Sequence, residues 1–246
     1  MVTWNDIRLP VRENRLWELY HENSKTPQFL RNAPESVRSR FDPGGLHVSL
    51  PVQSSWKRPL VFDPEIFSSV PGRRTDHRRK RRVVKQLSFE DLSAVLSFGV
   101  SAGISADPLD LFSLEIFCVI TRNVDIGTGV FHLDRKDMLL QRVVGEMDPG
   151  LLSQCFDAPE TAPMYILISG VFQRSALSYG EKGYRVVLTD SGRVAQNMLL
   201  AAERLGAHAK LESRFFEREI EKLIGIDGVD HALLQVISFS TVNSEI

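Results

Sequence analysis

SYGEKGYRVVLTDSGRVAQNMLLAAERLG, residues 178–206, is the stretch on which the architecture turns. Its first half is rich in β-prone side chains, and Tyr184 to Thr189 reads as a strand. The second half reads as the longest helix of the chain, Arg193 to Leu205, with Asp190 or Ser191 capping its start and Gly206 ending it. Its apolar residues are Val194, Ala195, Met198, Leu199, Leu200, Ala201, Ala202 and Leu205. They cover more than one face, the pattern of a helix buried all round. In a chain of 246 residues that means either a central core helix or one at a subunit interface. Gln196 and Asn197 fall inside this helix, and buried amides need partners; bonding across a dimer interface is the ordinary explanation.

Outward from this helix, strands and helices alternate. Leu114 to Ile120, Gly129 to Leu133, Met164 to Val171 and Leu233 to Phe239 are runs of Val, Ile, Phe and Leu that read as strands. Lys136 to Val144 reads as a short helix, and Glu217 to Ile224 as another that stops at Gly225. Ser88 is a candidate N-cap with Asp91 three residues on, opening a helix with the apolar stripe Leu92, Val95 and Leu96. The fold class is α+β, with a soluble core. The first 70 residues differ: Pro, Ser, Asn and Arg dominate, with one helix, Arg12 to His21, and a turn at Asp42-Pro43-Gly44-Gly45. Residues 1–70 are therefore an arm or small subdomain, and 71–246 the main domain. Between them lies a basic run: Arg73, Arg74, His77, Arg78, Arg79, Lys80, Arg81, Arg82 and Lys85.

Composition removes several function classes. The net charge is −1 and 43% of residues are hydrophobic, so the chain is no general polyanion binder and has material for one sizeable core. No apolar run approaches the roughly 20 residues of a membrane span, and the charged N-terminus lacks a signal-peptide core. Cys118 and Cys155 make neither a disulfide framework nor a metal-ligand spacing; both read as buried thiols in a cytoplasmic protein, with no metal expected. The basic run is read first as a solvated loop, with docking on an acidic peptide or protein as the alternative. Aromatic interleaving is absent, which argues against nucleic acid. His132 reads as a packed side chain, and His21 beside Glu22 as structural.

Several blocks, in order, resemble the SagB-type dehydrogenases. Tyr20-His21-Glu22-Asn23-Ser24-Lys25 is similar to that family's opening segment. Arg73-Arg74-Thr75 followed by Leu87-Ser88-Phe89-Glu90-Asp91-Leu92 resembles its entry into the flavin domain. Gly127-Thr128-Gly129-Val130-Phe131-His132-Leu133 resembles its Gly-Val-Tyr-His-Tyr strand. The longest block, Tyr179 to Arg185 and on to Gly206, resembles Lys-Tyr-x-x-Arg-Gly-Tyr-Arg…Gly-x-x-x-Gln-Asn…Ala-Ala-x-x-Leu-Gly. The resemblance implies a nitroreductase-like FMN-binding fold: a central, largely antiparallel sheet, a buried core helix, and a dimer with FMN between subunits. It implies oxidation of azoline rings to thiazoles or oxazoles in ribosomally made peptides, beside a cyclodehydratase that acts on the same precursor peptide. The dimer partner is a second copy or a related dehydrogenase. Carried residue by residue, Tyr179 is the catalytic acid/base, and Arg73, Arg74, Thr75, Arg78, Arg185, Gln196 and Asn197 face the cofactor.

Three departures bear on that chemistry. Ser178 stands where the family has the Lys that precedes its Tyr, and a hydroxyl cannot replace an ammonium beside a tyrosine. Asp107 to Glu115 lacks the glycines of the family's loop, which let backbone approach the flavin ring. Ser240-Thr241 replaces a closing Gly-Arg that helps hold the phosphate. Scaffold motifs survive while cofactor positions change, so flavin binding is weakened or lost in one reading. Two functions follow: an active oxidoreductase with an altered site, or a catalytically silent subunit that pairs with an active relative or docks the peptide-modifying complex.

Overall fold

The computed structural model describes residues 56–61, 87–101, 112–123, 125–145, 149–156 and 162–240. The helix at Arg12 to His21, the turn at 42–45 and the basic run lie outside the described residues.

A seven-stranded sheet forms the centre. Its strands are β1 (Lys57–Pro59), β2 (Leu114–Ile120), β3 (Gly129–Asp134), β4 (Leu139–Val144), β5 (Met164–Val171), β6 (His208–Leu211) and β7 (His231–Ser240). Their order is β1-β4-β3-β2-β5-β7-β6, and every neighbouring pair is antiparallel. β1 brings residues from the first 70 into this sheet as an edge strand. The helices are α1 (Phe89–Ser101), α2 (Pro149–Ser153), α3 (Phe172–Tyr179), α4 (Gly183–Arg204) and α5 (Glu217–Ile224), with a single 3₁₀ turn at Gly180–Lys182 joining α3 to α4.

Strand alternation sorts the core into two layers. On one face, Ile116, Cys118, Ile120, Phe131, Leu133, Ile166 and Ile237 pack against α1 and α4, through Leu92, Val95, Leu96, Val194 and Met198. On the other, Phe117, Val119, Val130, Leu167 and Val236 pack against α2 and α5, through Leu152, Ile220 and Ile224. Each fully buried aliphatic or aromatic side chain contributes about 1.5–3 kcal/mol. Both cysteines are buried and free, as expected.

Local signals explain most boundaries. The Asp91 amide donates to Ser88 Oγ at 3.1 Å and the Ser88 amide to Asp91 Oδ2 at 3.0 Å, a reciprocal capping box opening α1. α4 ends before Gly206 (φ +76°) and α5 before Gly225 (φ +77°), each glycine in the left-handed region.

Four expectations are corrected. Tyr184 to Thr189 is not a strand but the first turns of α4. The buried residues Gly183, Val187, Asp190, Ser191, Val194, Ala195, Met198, Ala201 and Ala202 recur at helical spacing, so one packed face runs through the whole segment and overrides β-propensity. Asp190 and Ser191 are consequently interior residues of α4 and not caps; the Ser191 hydroxyl donates back to the Leu188 carbonyl at 2.8 Å. Lys136 to Val144 is not a helix: residues 135–138 turn, with Met138 at φ +48°, and β4 returns antiparallel to β3. Burial of Leu140 and Val143 on a strand satisfies the same apolar residues that suggested a helix. Finally, α4 is not buried all round in this chain. Its inner face meets the sheet, while Tyr184, Leu188 and Leu200 are each about 40% exposed on its outer face.

Candidate functional site

The helix that carries Tyr179 is placed by an unusual set of contacts. α3 has eight residues, too short to persist alone in water, and no side chain caps its start. Its two buried residues are Arg174 and Ser175, both polar. Arg174 reaches Glu115 on β2, its Nη1 2.6 Å from Oε1. The same nitrogen donates to the Phe112 carbonyl at 3.0 Å. Ser175 donates to the Gly183 carbonyl at 3.0 Å, tying α3 to the first residue of α4. That contact depends on glycine. A Cβ on Gly183 would lie 2.6–2.7 Å from the backbone of Ser175 and Ala176, with no flexible side chain to give way.

Glu115 is the centre of a wider buried network. Sheet register explains it: Glu115 lies opposite Ser169, and Phe117 opposite His132, so all four project to the α2/α5 face. His132 Nε2 donates to Glu115 Oε2 at 2.7 Å. Gln141, 3.5 Å from His132 Nδ1, sits on the far side of the ring. Burial alone would raise the Glu115 pKa, but His132 and Arg174 together outweigh it and hold the carboxyl below its ordinary value. Ser169 Oγ lies 3.2 Å from the Glu115 carbonyl and 2.8 Å from His231 Nε2. With its one proton on the carbonyl, the Ser169 hydroxyl accepts from a neutral, Nε2-protonated His231. Burial accordingly pushes the His231 pKa down to about 4. A carboxylate held at one oxygen by Arg174 and at the other by His132 is a structural anchor.

In the sequence Glu115 closes the glycine-free segment and His132 reads as a packed side chain. His132 is packed, and it is also a partner of Glu115. The available signal was a carboxylate in the run Leu-Glu-Ile-Phe-Cys-Val-Ile, since a charge on a strand buried on both faces requires a partner. Which partner depends on cross-strand register and on α3, neither of which the local sequence states.

The expected cofactor residues are not gathered at one point. Tyr179 ends α3 and is half-buried, as is Ser178 beside it. Arg185 is exposed in the first turn of α4, on a helix and not on the expected strand. Gln196 is exposed and Asn197 half-buried, not enclosed amides. Eleven residues separate Arg185 from Gln196, about 16 Å along a helix axis. Arg73, Arg74, Thr75 and Arg78 lie outside the described residues, as does the 107–111 part of the glycine-free segment. In kind, the donors on the outer side of α4 suit FMN: a guanidinium for phosphate oxygens and amides for the ring edge. Their exposure leaves those ends open, although they form no closed cradle within one chain. Among the described residues, no His/Cys/Asp/Glu group could hold a metal, and no helix is long and apolar enough to cross a membrane.

The antiparallel sheet, flanked by helices on both faces with a long helix against its centre, is a nitroreductase-like fold, and sequence comparison agrees. The Nitroreductase family profile matches residues 144–239. A nitroreductase-type protein of Methanocaldococcus jannaschii is 30% identical over 163 residues, which are 60% of this chain and 81% of that protein. The chain belongs to the nitroreductase family. Within it, the SagB-type resemblance is matched by the microcin B17-processing protein McbC of Escherichia coli, 25% identical over 213 residues, 76% of this chain and 77% of McbC. A chain of the E. coli microcin synthetase McbBCD complex with truncated pro-MccB17 bound shares the fold, with a TM-score of 0.55 at 17% identity, over 93% of this chain and 92% of that one. A nitroreductase from Anabaena variabilis matches 65% of this chain, TM-score 0.53 at 21% identity; this chain spans only 36% of that longer one.

Proposed function

We propose that this protein is an FMN-dependent oxidoreductase subunit of the SagB type that oxidises azolines in ribosomally made peptides to thiazoles or oxazoles. The observation that carries the reading is the similarity to McbC over three quarters of both chains, joined to the fixed placement of Tyr179 at the α3–α4 turn. In this reading a cyclodehydratase supplies the azoline peptide, and a second copy or a related dehydrogenase covers the outer face of α4.

FMN, when bound, supplies the two-electron acceptor. The chain's own residues do the rest. Arg185, with Arg73, Arg74, Thr75 and Arg78, would meet its phosphate, and Gln196 and Asn197 its ring edge. In this reading Tyr179, acting as the phenolate, would receive the proton released from one ring carbon while the neighbouring C–H left as hydride. Two C–H bonds break, one ring double bond forms, and the peptide becomes two hydrogens lighter.

A second reading rests on Ser178. With a hydroxyl where relatives of this type carry an ammonium, the chain is a silent subunit that completes an active partner's interface. A single-turnover experiment separates the two. The purified protein is loaded with FMN, mixed with an azoline peptide prepared by a cyclodehydratase, and followed by visible absorbance and peptide mass. Bleaching of the flavin bands with loss of two hydrogens is expected. A protein that refuses FMN and leaves the mass unchanged overturns the oxidoreductase reading. A yellow protein that stays inert, even as Ser178→Lys, establishes the silent one.

A further inference from the structure

We propose that Arg174, fixed by Glu115, is a positioning residue for Tyr179. This clamp sets where α3 ends and therefore where the tyrosine sits relative to the sheet. The proposal rests on the reading that Tyr179 serves the reacting ring, but its geometry is independent of any cofactor.

Three observations converge. First, the two buried residues of α3, Arg174 and Ser175, are both polar. A helix attached by an apolar stripe can slide by small amounts at little cost, whereas an ion pair with directed hydrogen bonds defines one position. Secondly, both protons of Arg174 Nη1 are spent, one on Glu115 Oε1 at 2.6 Å and one on the Phe112 carbonyl at 3.0 Å. The guanidinium thus joins α3 to β2 and to the chain entering β2. Arg135 stacks on the Phe112 ring at 4.3 Å and steadies the same point. Thirdly, Glu115 is itself held: His132 on β3 donates to its other oxygen at 2.7 Å. The carboxylate cannot rotate to follow a moving arginine. Five residues beyond Arg174, the chain reaches Tyr179, and the Ser175–Gly183 contact transfers the same position to the start of α4.

Had the pair been merely stabilising, its removal would lower the melting temperature and leave the folded environment of Tyr179 unchanged. A positioning role moves that environment. The chain has four tyrosines, Tyr20, Tyr165, Tyr179 and Tyr184, so incorporation of 3-fluorotyrosine gives four fluorine resonances, with Tyr179 assigned by its loss in Tyr179→Phe. Tyr165, stacked on Phe156 at 4.6 Å in the sheet, is the internal reference. In Arg174→Gln we expect the Tyr179 resonance to shift by more than its linewidth while Tyr165 stays. Tyr184 should follow, because its ring packs 5.0 Å from Phe172 of α3. Glu115→Gln should give the same displacement, and the double variant no more than either single one. An unmoved Tyr179 resonance in folded Arg174→Gln overturns the proposal, however far the melting temperature falls. Should that variant fail to fold, Arg174→Lys is held to the same criterion, because a point charge cannot keep both bonds of the guanidinium nitrogen. The readout requires neither flavin nor turnover. Refusal of FMN would therefore remove the oxidoreductase reading and leave the clamp to be decided by the shift alone.

Discussion

The two faces of the sheet are built on different principles. The face under α1 and α4 is dry: Ile116, Cys118, Ile120, Phe131 and Leu133 meet Leu92, Leu96, Val194 and Met198. The opposite face is apolar along most of its length, but at the α3 end it holds Glu115, His132, Ser169, Arg174 and His231, all interconnected. The dry face should tolerate volume-conserving apolar swaps best, since apolar contacts have little direction. The wet corner does not, since each buried polar group there has one arrangement that satisfies it and many that do not. Tyr179 hangs from the corner with the directed contacts.

The largest effects should separate these principles. Phe131, fully buried against the Trp56 edge at 4.9 Å and 5.1 Å from the Arg142 guanidinium, has mainly packing to lose. Phe131→Ala should cost about 3–5 kcal/mol in urea denaturation. Glu115→Leu should cost a similar amount, about 3–5 kcal/mol, for another reason: it leaves the Arg174 guanidinium buried without its carboxylate. The test is compensation. Glu115→Leu combined with Arg174→Met should recover most of the loss, as removing both members of a buried pair does. A double variant as unstable as the single one would mean that the corner is held by shape and not by charge.

Next in size is a pH effect confined to the wet corner. His231 is neutral when folded, with a pKa near 4 against 6.5 when free. Between those values the unfolded chain binds the extra proton, so stability falls as pH falls from about 6.5 to 4, by at most about 1.4 kcal/mol per pH unit. Glu115, held below its ordinary value, adds a loss in the same direction, but only in more acidic solution, as pH drops through its lowered folded pKa. Among the described residues, the window above pH 5 therefore belongs to His231. His231→Gln should flatten the stability profile between pH 7 and 5; a slope that survives would assign it elsewhere.

How much of this was legible in the sequence differs between the same two regions. The dry face was readable: β2 and β5 fall on the expected residues, and α1 begins at the expected Ser88 cap, because apolar runs and capping boxes are local signals. The start of α4 was not. Val186, Val187 and Leu188 favour a strand by propensity, and the buried face that Val187 shares with residues at helical spacing makes a helix there. The wet corner was legible in its members and not in its wiring. Glu115 and His132 stood in the quoted blocks, but their pairing requires the β2–β3 register, and Arg174 lay in a helix that composition did not announce.

Smaller effects come from two glycines of α4, which divide in the same way. Gly183 touches the backbone of α3, so Gly183→Ala must push the helices apart, costing about 1–3 kcal/mol. That change should also displace Tyr179, since it opens the Ser175–Gly183 contact.

Gly192 is the opposite case. It lies mid-helix on the outer face of α4, exposed, and an added Cβ would meet nothing within 4 Å. A glycine there costs a helix roughly 0.5–1 kcal/mol relative to alanine. Gly192→Ala should therefore raise the melting temperature of dilute protein by a few degrees. Its value lies in the concentration dependence. The same face carries Leu188 and Leu200, each about 40% exposed. If a second subunit closes over it, the added methyl meets a surface that this chain alone does not contain, and the gain should shrink or reverse as concentration rises. Equal stabilisation at all concentrations would leave the outer face of α4 open to solvent, and would remove the interface on which the proposed flavin site depends.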